Sequence, residues 1–181
     1  MRTLAVALTL SLAALAGGAS AQPGPRVTVS VGSLLQSKIK SYGQREVNQL
    51  RADLGDSVSR ALAHSAAAPA RVDLVIEDAQ PNRPTFEQMG RTPGLSLRSV
   101  GVGGARVSGT VTTADGAVRP IRYQWYETDI TQERAAGTWS DADRAFDWLA
   151  SDLARGKAPD AYTGPGPDPH GGRFGYPFNG E

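Results

Sequence analysis

The sequence contains no cysteine and only two histidines among its 181 residues. The lack of cysteine excludes disulfides, thiolate metal sites and a lipid-accepting cysteine behind an export signal. A Ser-His-Asp triad would have to use His64, at the end of a predicted helix, because His170 lies in a predicted disordered tail and cannot be held against an orienting carboxylate. No residue spacing typical of a hydrolase or metalloenzyme occurs. We therefore predict no catalytic residues, no metal site and no cofactor, which favours a protein that is not an enzyme.

The chain also lacks an excess of charge of either sign. Nineteen basic residues stand against eighteen acidic ones, and the arginines are scattered singly. Binding to a nucleic-acid backbone needs clustered positive charge. The sequence thus predicts no nucleic-acid partner.

Long apolar runs are absent except near the start. Residues 4–16 form an uncharged apolar run that is too short for a transmembrane anchor. Small residues follow at Ala19 and Ala21, the two positions that a signal peptidase must admit. We predict a signal peptide over residues 1–21, cleaved before Gln22. The mature protein is then expected to be soluble and periplasmic or secreted, with no membrane insertion after cleavage.

The hydrophobic periodicity of residues 22–156 predicts a single α+β domain. Residues 26–31 and 72–77 alternate like strands, and residues 43–63 place apolar side chains three or four apart, as on a helix face. Residues 97–113 and 118–128 read as a hairpin around a turn at residues 114–117. Residues 33–41 read as a connector. We predict a mixed sheet of about four strands, with the first two parallel and two helices packed on one face.

The predicted core follows from those patterns. It consists of Val29, Val47, Leu50, Leu54, Val58, Leu62, Val72, Leu74, Ile76, Val107, Val111, Tyr123, Trp125, Phe146, Leu149 and Leu153. The last helix is predicted to begin at residues 139–143, with Ser140 as its cap and Trp139 packed on its apolar face. Residues 157–181 are rich in proline and glycine and predict a disordered tail.

Two segments are candidate binding sites. Residues 81–95 form a proline-bounded loop carrying Arg83, Phe86 and Arg91, which is either a partner-recognition surface or a cover over one end of the sheet. Trp125 and Tyr126 lie on a predicted strand, where aromatic side chains can bind a glycan or a peptide. The alternative is that Trp125 belongs to the core and Tyr126 to the ordinary surface.

A resemblance adds to this interpretation. Residues 72–105, which include the sequence Ile76-Glu77-Asp78-Ala79-Gln80, and residues 138–146 resemble a family of uncharacterised exported proteins of Gram-negative bacteria. That resemblance spans most of residues 26–155 and implies an envelope location without implying an activity. The order of elements is also similar to small envelope domains that assist assembly or regulate partners.

Three functions remain open from the sequence. The first is a non-catalytic interaction protein with an envelope protein as its partner, in an oligomeric state that the sequence does not define. The second is a small-ligand or glycan-binding module at Trp125 and Tyr126. The third is an enzyme that uses carboxylates alone, with Glu77 or Asp78 facing Glu127.

Overall fold

The computed structural model describes residues 24–131 and 137–167. This part of the chain folds into four strands and five helices. In chain order they are β1 (Arg26–Val31), α1 (Ser33–Ser37), α2 (Ile39–Tyr42), α3 (Gln44–Ala63), β2 (Arg71–Gln80), α4 (Phe86–Arg91), β3 (Gly104–Thr112), β4 (Val118–Tyr126) and α5 (Ser140–Ala154).

The four strands form one mixed sheet in the order β1-β2-β3-β4. β1 is parallel to β2, while β2–β3 and β3–β4 are antiparallel. The parallel pair requires a long crossover connection, and α3 lies within it. This architecture confirms the predicted α+β fold with a mixed sheet.

The longer helices α3 and α5 pack against each other and against one face of the sheet. The α3 side chains Val47, Leu50 and Leu54 have at most 1% of their surface exposed. Gly55 faces β1, since a Cβ atom there would be in ordinary van der Waals contact with Val29 Cγ2 at 3.7 Å. All sixteen predicted core residues belong to this cluster, with Val29, Tyr123 and Trp125 partly buried at its margin.

The opposite face of the sheet buries polar side chains. A bulge between Ile76 and Asp78 shifts the register of β2, so that Asp78 pairs with Arg106 on this second face. The Asp78 side chain is 3% exposed, and Gln124 and Tyr126 of β4 are buried on the same face. We call this surface the polar face.

The connector predicted at residues 33–41 is instead helical, and the prediction was wrong there. α1 and α2 are each about one turn long, and Leu35 is fully buried beneath them. Such short helices are marginal by themselves, so burial of Leu35 and Tyr42 holds them in place rather than helix propensity.

The predicted cap of the last helix was also wrong. The Ser140 hydroxyl accepts a hydrogen bond from the Gly137 N–H and not from α5, which begins at Ser140 itself. Asn82 takes the capping role from a distant loop, since its Oδ1 atom accepts the N–H of Asp141 at 3.0 Å. A cap supplied from elsewhere in the fold has no local sequence signature.

Residues 157–167, the first part of the predicted tail, contact the outer edge of β4. The Pro159 carbonyl accepts the Arg122 N–H at 2.7 Å, and Arg122 forms an isolated bridge with Asp160. Tyr162 lies beneath the Arg106 guanidinium at 5.1 Å, and the Gly164 carbonyl accepts a bond from Gln124 Nε2. Any disordered tail therefore begins later than residue 157, and residues 168–181 lie outside the described part.

Residues 1–23, which contain the predicted signal peptide, also lie outside the described residues. Among the helices that the structure does describe, none has the length and apolar character needed to cross a bilayer.

Candidate functional site

The proline-bounded loop begins with a buried anchor. Pro81, Asn82, Pro84 and Thr85 are all buried. The Asn82 N–H bonds to the Thr138 carbonyl at 2.8 Å, and its carbonyl accepts the Gly101 N–H at 2.8 Å. This half of the loop closes one end of the sheet, as one of the two predicted interpretations requires.

Asp141, at the start of α5, completes this anchor. The Asp141 side chain is fully buried, and its Oδ2 atom accepts bonds from Asn82 Nδ2 at 2.5 Å and from the Gly103 N–H at 3.0 Å. Its other oxygen bonds to Arg144 at 3.1 Å. A buried carboxylate with this many donors is satisfied as an anion, so the network has a structural role.

The glycines at residues 103 and 104 serve the same anchor. A Cβ atom at Gly103 would lie 2.6 Å from Asn82 Oδ1. A Cβ atom at Gly104 would collide with the β4 backbone, and the φ angle of Gly104 is +149°. Only glycine leaves room for these contacts. These two glycines therefore have a structural role.

The second half of the loop is presented outward on α4. A capping box fixes the start of this helix, because Thr85 Oγ1 accepts the Gln88 N–H and Gln88 Oε1 accepts the Thr85 N–H. Phe86 is the first residue after the cap and is 72% exposed, the highest value among the large apolar side chains that the structure describes. A fixed helix thus holds an aromatic ring in water.

The other two loop candidates point to different partners. Arg91 forms an exposed ion pair with Glu87, 2.6 Å away on the same helix. Arg83 donates from Nη1 to the Leu97 carbonyl at 2.7 Å, which ties the loop to the segment that follows it. Arg83 and Arg91 therefore have local structural partners, and Phe86 is the loop residue turned to solvent.

Phe86 borders an open cleft of about 340 Å³ between α4, α3 and the start of α5. We name it the Phe86 cleft. Its lining consists of Arg45, Glu46, Gln49, Phe86, Gly137, Thr138, Trp139, Ser140 and Asp143. Trp139 is 3% exposed, stacks edge-on against Tyr42, and donates from its indole nitrogen to Glu46 at 2.7 Å. These contacts make the inner part of the cleft rigid.

Asp143 is the chemically unusual residue of the cleft. Its Oδ1 atom is shielded from water and has no hydrogen-bond partner within the described part of the chain. Burial raises the pKa of Asp143 to about 6, and the nearby carboxylates Asp53 and Asp147 add to the effect. A cation placed in the cleft would oppose these effects, because its charge favours the ionised carboxylate.

Trp125 and Tyr126 lie on opposite faces of the sheet. Trp125 packs at the margin of the helix face, where its ring meets Trp148 edge-on with 4.7 Å between centroids. The Arg144 guanidinium lies 5.5 Å from the Trp125 ring, and Trp148 is 46% exposed. The two tryptophans, rather than Trp125 with Tyr126, form the aromatic surface.

Tyr126 is 2% exposed and lies inside the polar face. Burial, followed by the negative charge of Asp78, raises the pKa of Tyr126 far above its usual value. Its hydroxyl makes no hydrogen bond of good geometry to any described residue, whereas Lys38 Nζ lies 2.5 Å from Asp78. A ligand at the surface cannot reach Tyr126 in this conformation.

The three carboxylates suggested for catalysis have separate partners. Glu77 accepts a bond from the Ser108 hydroxyl at 2.5 Å, while Asp78 pairs with Lys38. Glu127 lies 3.5 Å from Arg144. Within residues 24–131 and 137–167, no group of three or more His, Cys, Asp or Glu side chains has an arrangement that would hold a metal ion.

Comparison of the sequence with protein-family models finds no match, and comparison with curated proteins finds none either. The chain's own residues therefore carry the functional argument.

Sequence reasoning missed several of these residues. Thr85 and Gln88 have the spacing of a capping box, a signal that was present and would have placed α4 correctly. The roles of Asn82 and Asp141, and the hydrogen bond from Trp139 to Glu46, depend on partners that are distant in sequence, and no local pattern indicates them.

Proposed function

We propose that the protein is an exported, non-catalytic domain that binds another envelope protein through the Phe86 cleft. One observation carries the proposal: Phe86 is 72% exposed on a helix whose start is fixed by reciprocal hydrogen bonds. A rigid exposed aromatic loses little conformational entropy when a partner covers it, which makes such residues effective binding anchors.

The cleft also favours a particular partner chemistry. Asp143 is held there with a raised pKa, with Asp53 and Asp147 nearby, while Arg45 is the basic residue of the lining. A lysine or arginine from the partner would pair with the Asp143 carboxylate and lower its pKa. We therefore expect a partner segment in which a basic residue adjoins an apolar one.

The test compares capture of envelope proteins by the mature chain and by Phe86→Ser. We expect one partner to be lost with Phe86→Ser, and its affinity, measured afterwards with both purified proteins, to fall at least about tenfold. Asp143→Asn should also weaken binding, with a loss that is larger above pH 6 than at pH 5, because only the carboxylate pairs with the cation.

Leu97→Ser is the matched control, since Leu97 is 54% exposed and lies outside the cleft lining. Its capture profile should equal that of the unmodified chain. Equal capture by Phe86→Ser, or equal losses from Phe86→Ser and Leu97→Ser, would rule out the Phe86 cleft as the binding surface.

The location of the protein is part of the proposal. The apolar run at residues 4–16 and the small residues Ala19 and Ala21 support a signal peptide that ends before Gln22. The mature chain is then periplasmic or secreted and free in solution. Intact-mass measurement of the exported protein should give a chain beginning at Gln22, and a mass that includes Met1 would contradict it.

A second candidate function rests on the Trp125 and Trp148 pair. The exposed Trp148 indole, which meets Trp125 edge-on, is a surface on which a sugar ring or another planar group can stack. A saccharide that raises the melting temperature of the mature chain, but not that of Trp148→Ala, would support a glycan-binding module. If no saccharide in a panel shifts the melting temperature, the glycan-binding hypothesis is wrong.

A further inference from the structure

The two edge strands of the sheet differ in whether another segment of the chain covers them. The outer edge of β4 is partly covered by residues 159–164. β1 forms the other edge, and within the described residues it pairs with β2 alone. Unpaired edges are templates for adding a further strand.

The hydrogen bonds of β1 identify the groups that remain available. Arg26 and Gly32 donate their N–H groups to the Ala70 and Ile76 carbonyls of the β2 side. Because backbone groups alternate along a strand, the N–H and C=O groups of Val27, Val29 and Val31 point away from β2. No described residue bonds to them.

A groove of about 440 Å³ runs between this edge and α3. It is lined by Val27, Val29, Asn48, Arg51, Ala52, Gly55, Asp56 and Ser59. The helix residues at its centre, Ala52 and Gly55, are small. The side chains of an added strand, or a second helix alongside α3, would therefore meet little steric obstruction there.

The order of the groove residues on α3 is self-complementary. In two antiparallel helices related by a two-fold axis, residues at equal distances from the axis face each other. For an axis midway between positions 53 and 54, Arg51 faces Asp56 of the second copy, and Ala52 faces its Gly55. Asn48 and Ser59 also lie at equal distances from this axis, so Asn48 faces Ser59 of the second copy. Neither Arg51 nor Asp56 forms an ion pair within the described part of the chain.

The two-fold axis inferred from β1 lies close to the axis inferred from α3. Antiparallel pairing of two β1 edges through their outward groups centres on Val29, with Val27 opposite Val31 of the second copy. Val29 is also the β1 residue that meets Gly55 of α3. Gly55 lies within two positions of the helix midpoint, an offset of roughly 2 Å along the helix axis.

We propose that two copies of the chain associate through the outer edge of β1 and the adjoining surface of α3, joining their four-stranded sheets into one continuous sheet. Backbone hydrogen bonds hold the two strands, and reciprocal Arg51 and Asp56 pairs set the register. This dimer is independent of the Phe86 cleft, whose lining shares no residue with the groove.

The test is sedimentation of the mature chain across the micromolar range. We expect the mass of a dimer, with a dissociation constant that rises at least about tenfold in Arg51→Asp and in Asp56→Arg, because each creates two like-charge contacts. The double variant Arg51→Asp with Asp56→Arg restores the opposite charges and should recover the original dissociation constant.

Val29→Pro removes an N–H that no described residue uses, so it should give a monomer that still folds. Should this variant fail to fold, the charge-reversal series decides, since Arg51 and Asp56 are both exposed. Arg60→Asp, on the same helix but outside the groove lining, is the control and should remain dimeric. A chain that stays monomeric at every concentration, or a dimer that ignores all of these changes, would overturn the proposal.

Discussion

The two faces of the sheet bury their side chains by different means. On the helix face, aliphatic side chains of α3 and α5 pack against those of the strands. The packing of the helices on the sheet there depends on the shape and volume of these side chains. On the polar face, Asp78 pairs with Lys38 across forty residues of sequence, and Gln124 bonds to the equally distant Gly164.

This difference determines how each face tolerates change. Truncating side chains in a hydrophobic core removes volume in steps, and the loss of unfolding free energy grows with the size of the cavity that is left. A buried polar pair fails in one step, because removal of one partner leaves the other with its desolvation uncompensated. The following predictions test that distinction, from the largest expected effect to the smallest.

Leu54→Ala should produce the largest loss, about 3 kcal/mol of unfolding free energy, because Leu54 is fully buried between α3 and the sheet. Urea unfolding of the mature chain measures it. Leu34→Ala, at a side chain that is 46% exposed, should change the free energy by less than about 0.5 kcal/mol. Similar losses for both would contradict a core centred on α3.

Asp78→Asn should cost about 2 kcal/mol although it changes almost no volume, because Lys38 loses its anion and the site is 3% exposed. Lys38→Met should cost a similar amount by leaving the carboxylate unpaired. The double variant should lose clearly less than the sum of the two. Additive losses in a double-mutant cycle would mean that the pair does not act as one unit.

Asp143→Asn should stabilise the protein at neutral pH. The folded pKa of about 6 lies above the ordinary aspartate pKa of 3.8, so the folded state binds the proton more tightly and stability falls as pH rises through that window. A shift of this size corresponds to about 3 kcal/mol for a fully buried group. Because Asp143 is half-buried, we expect a gain of about 1 kcal/mol.

Unfolding experiments from pH 4 to pH 7 measure this gain. The difference between Asp143→Asn and the unmodified chain should be near zero at pH 4, grow up to pH 6 and stay constant above it. Asp115→Asn, at an exposed turn, should not show such growth. A gain already present at pH 4 would have to arise from something other than the Asp143 charge.

Tyr162→Ala should have the smallest effect, a loss of less than about 1 kcal/mol, because the Arg106 contact is partly exposed. Its consequence should be local. Hydrogen exchange of the Arg122 amide, which bonds to Pro159, should become faster while the amides of β2 remain unchanged. Equal acceleration in both strands would indicate general destabilisation instead.

The fold could be predicted from the sequence to the extent that it depends on local pattern. The spacing of Val47, Leu50 and Leu54 identified α3 and its buried face, and the alternation in β2 identified the strand. These signals succeed because each element's own periodicity determines which side of it avoids water.

The candidate site was predictable only in part. Phe86 was identified from its place in a proline-bounded loop, and it lies on an exposed helix. The cleft beside it requires Trp139 and Asp143 from α5, and Trp139 donates a hydrogen bond to Glu46, ninety-three residues earlier in the chain. Such pairings follow from tertiary packing, which no single window of sequence contains.

The cover over β4 has a consequence for how the chain is made. Residues 159–164 are synthesised after all the strands and helices that the structure describes, and residues before them complete the sheet. Until they emerge, the N–H of Arg122 faces water on an open sheet edge, which another nascent chain can pair with. Residues 159–164 therefore protect this edge against aggregation, and a product that terminates before Pro159 lacks that protection.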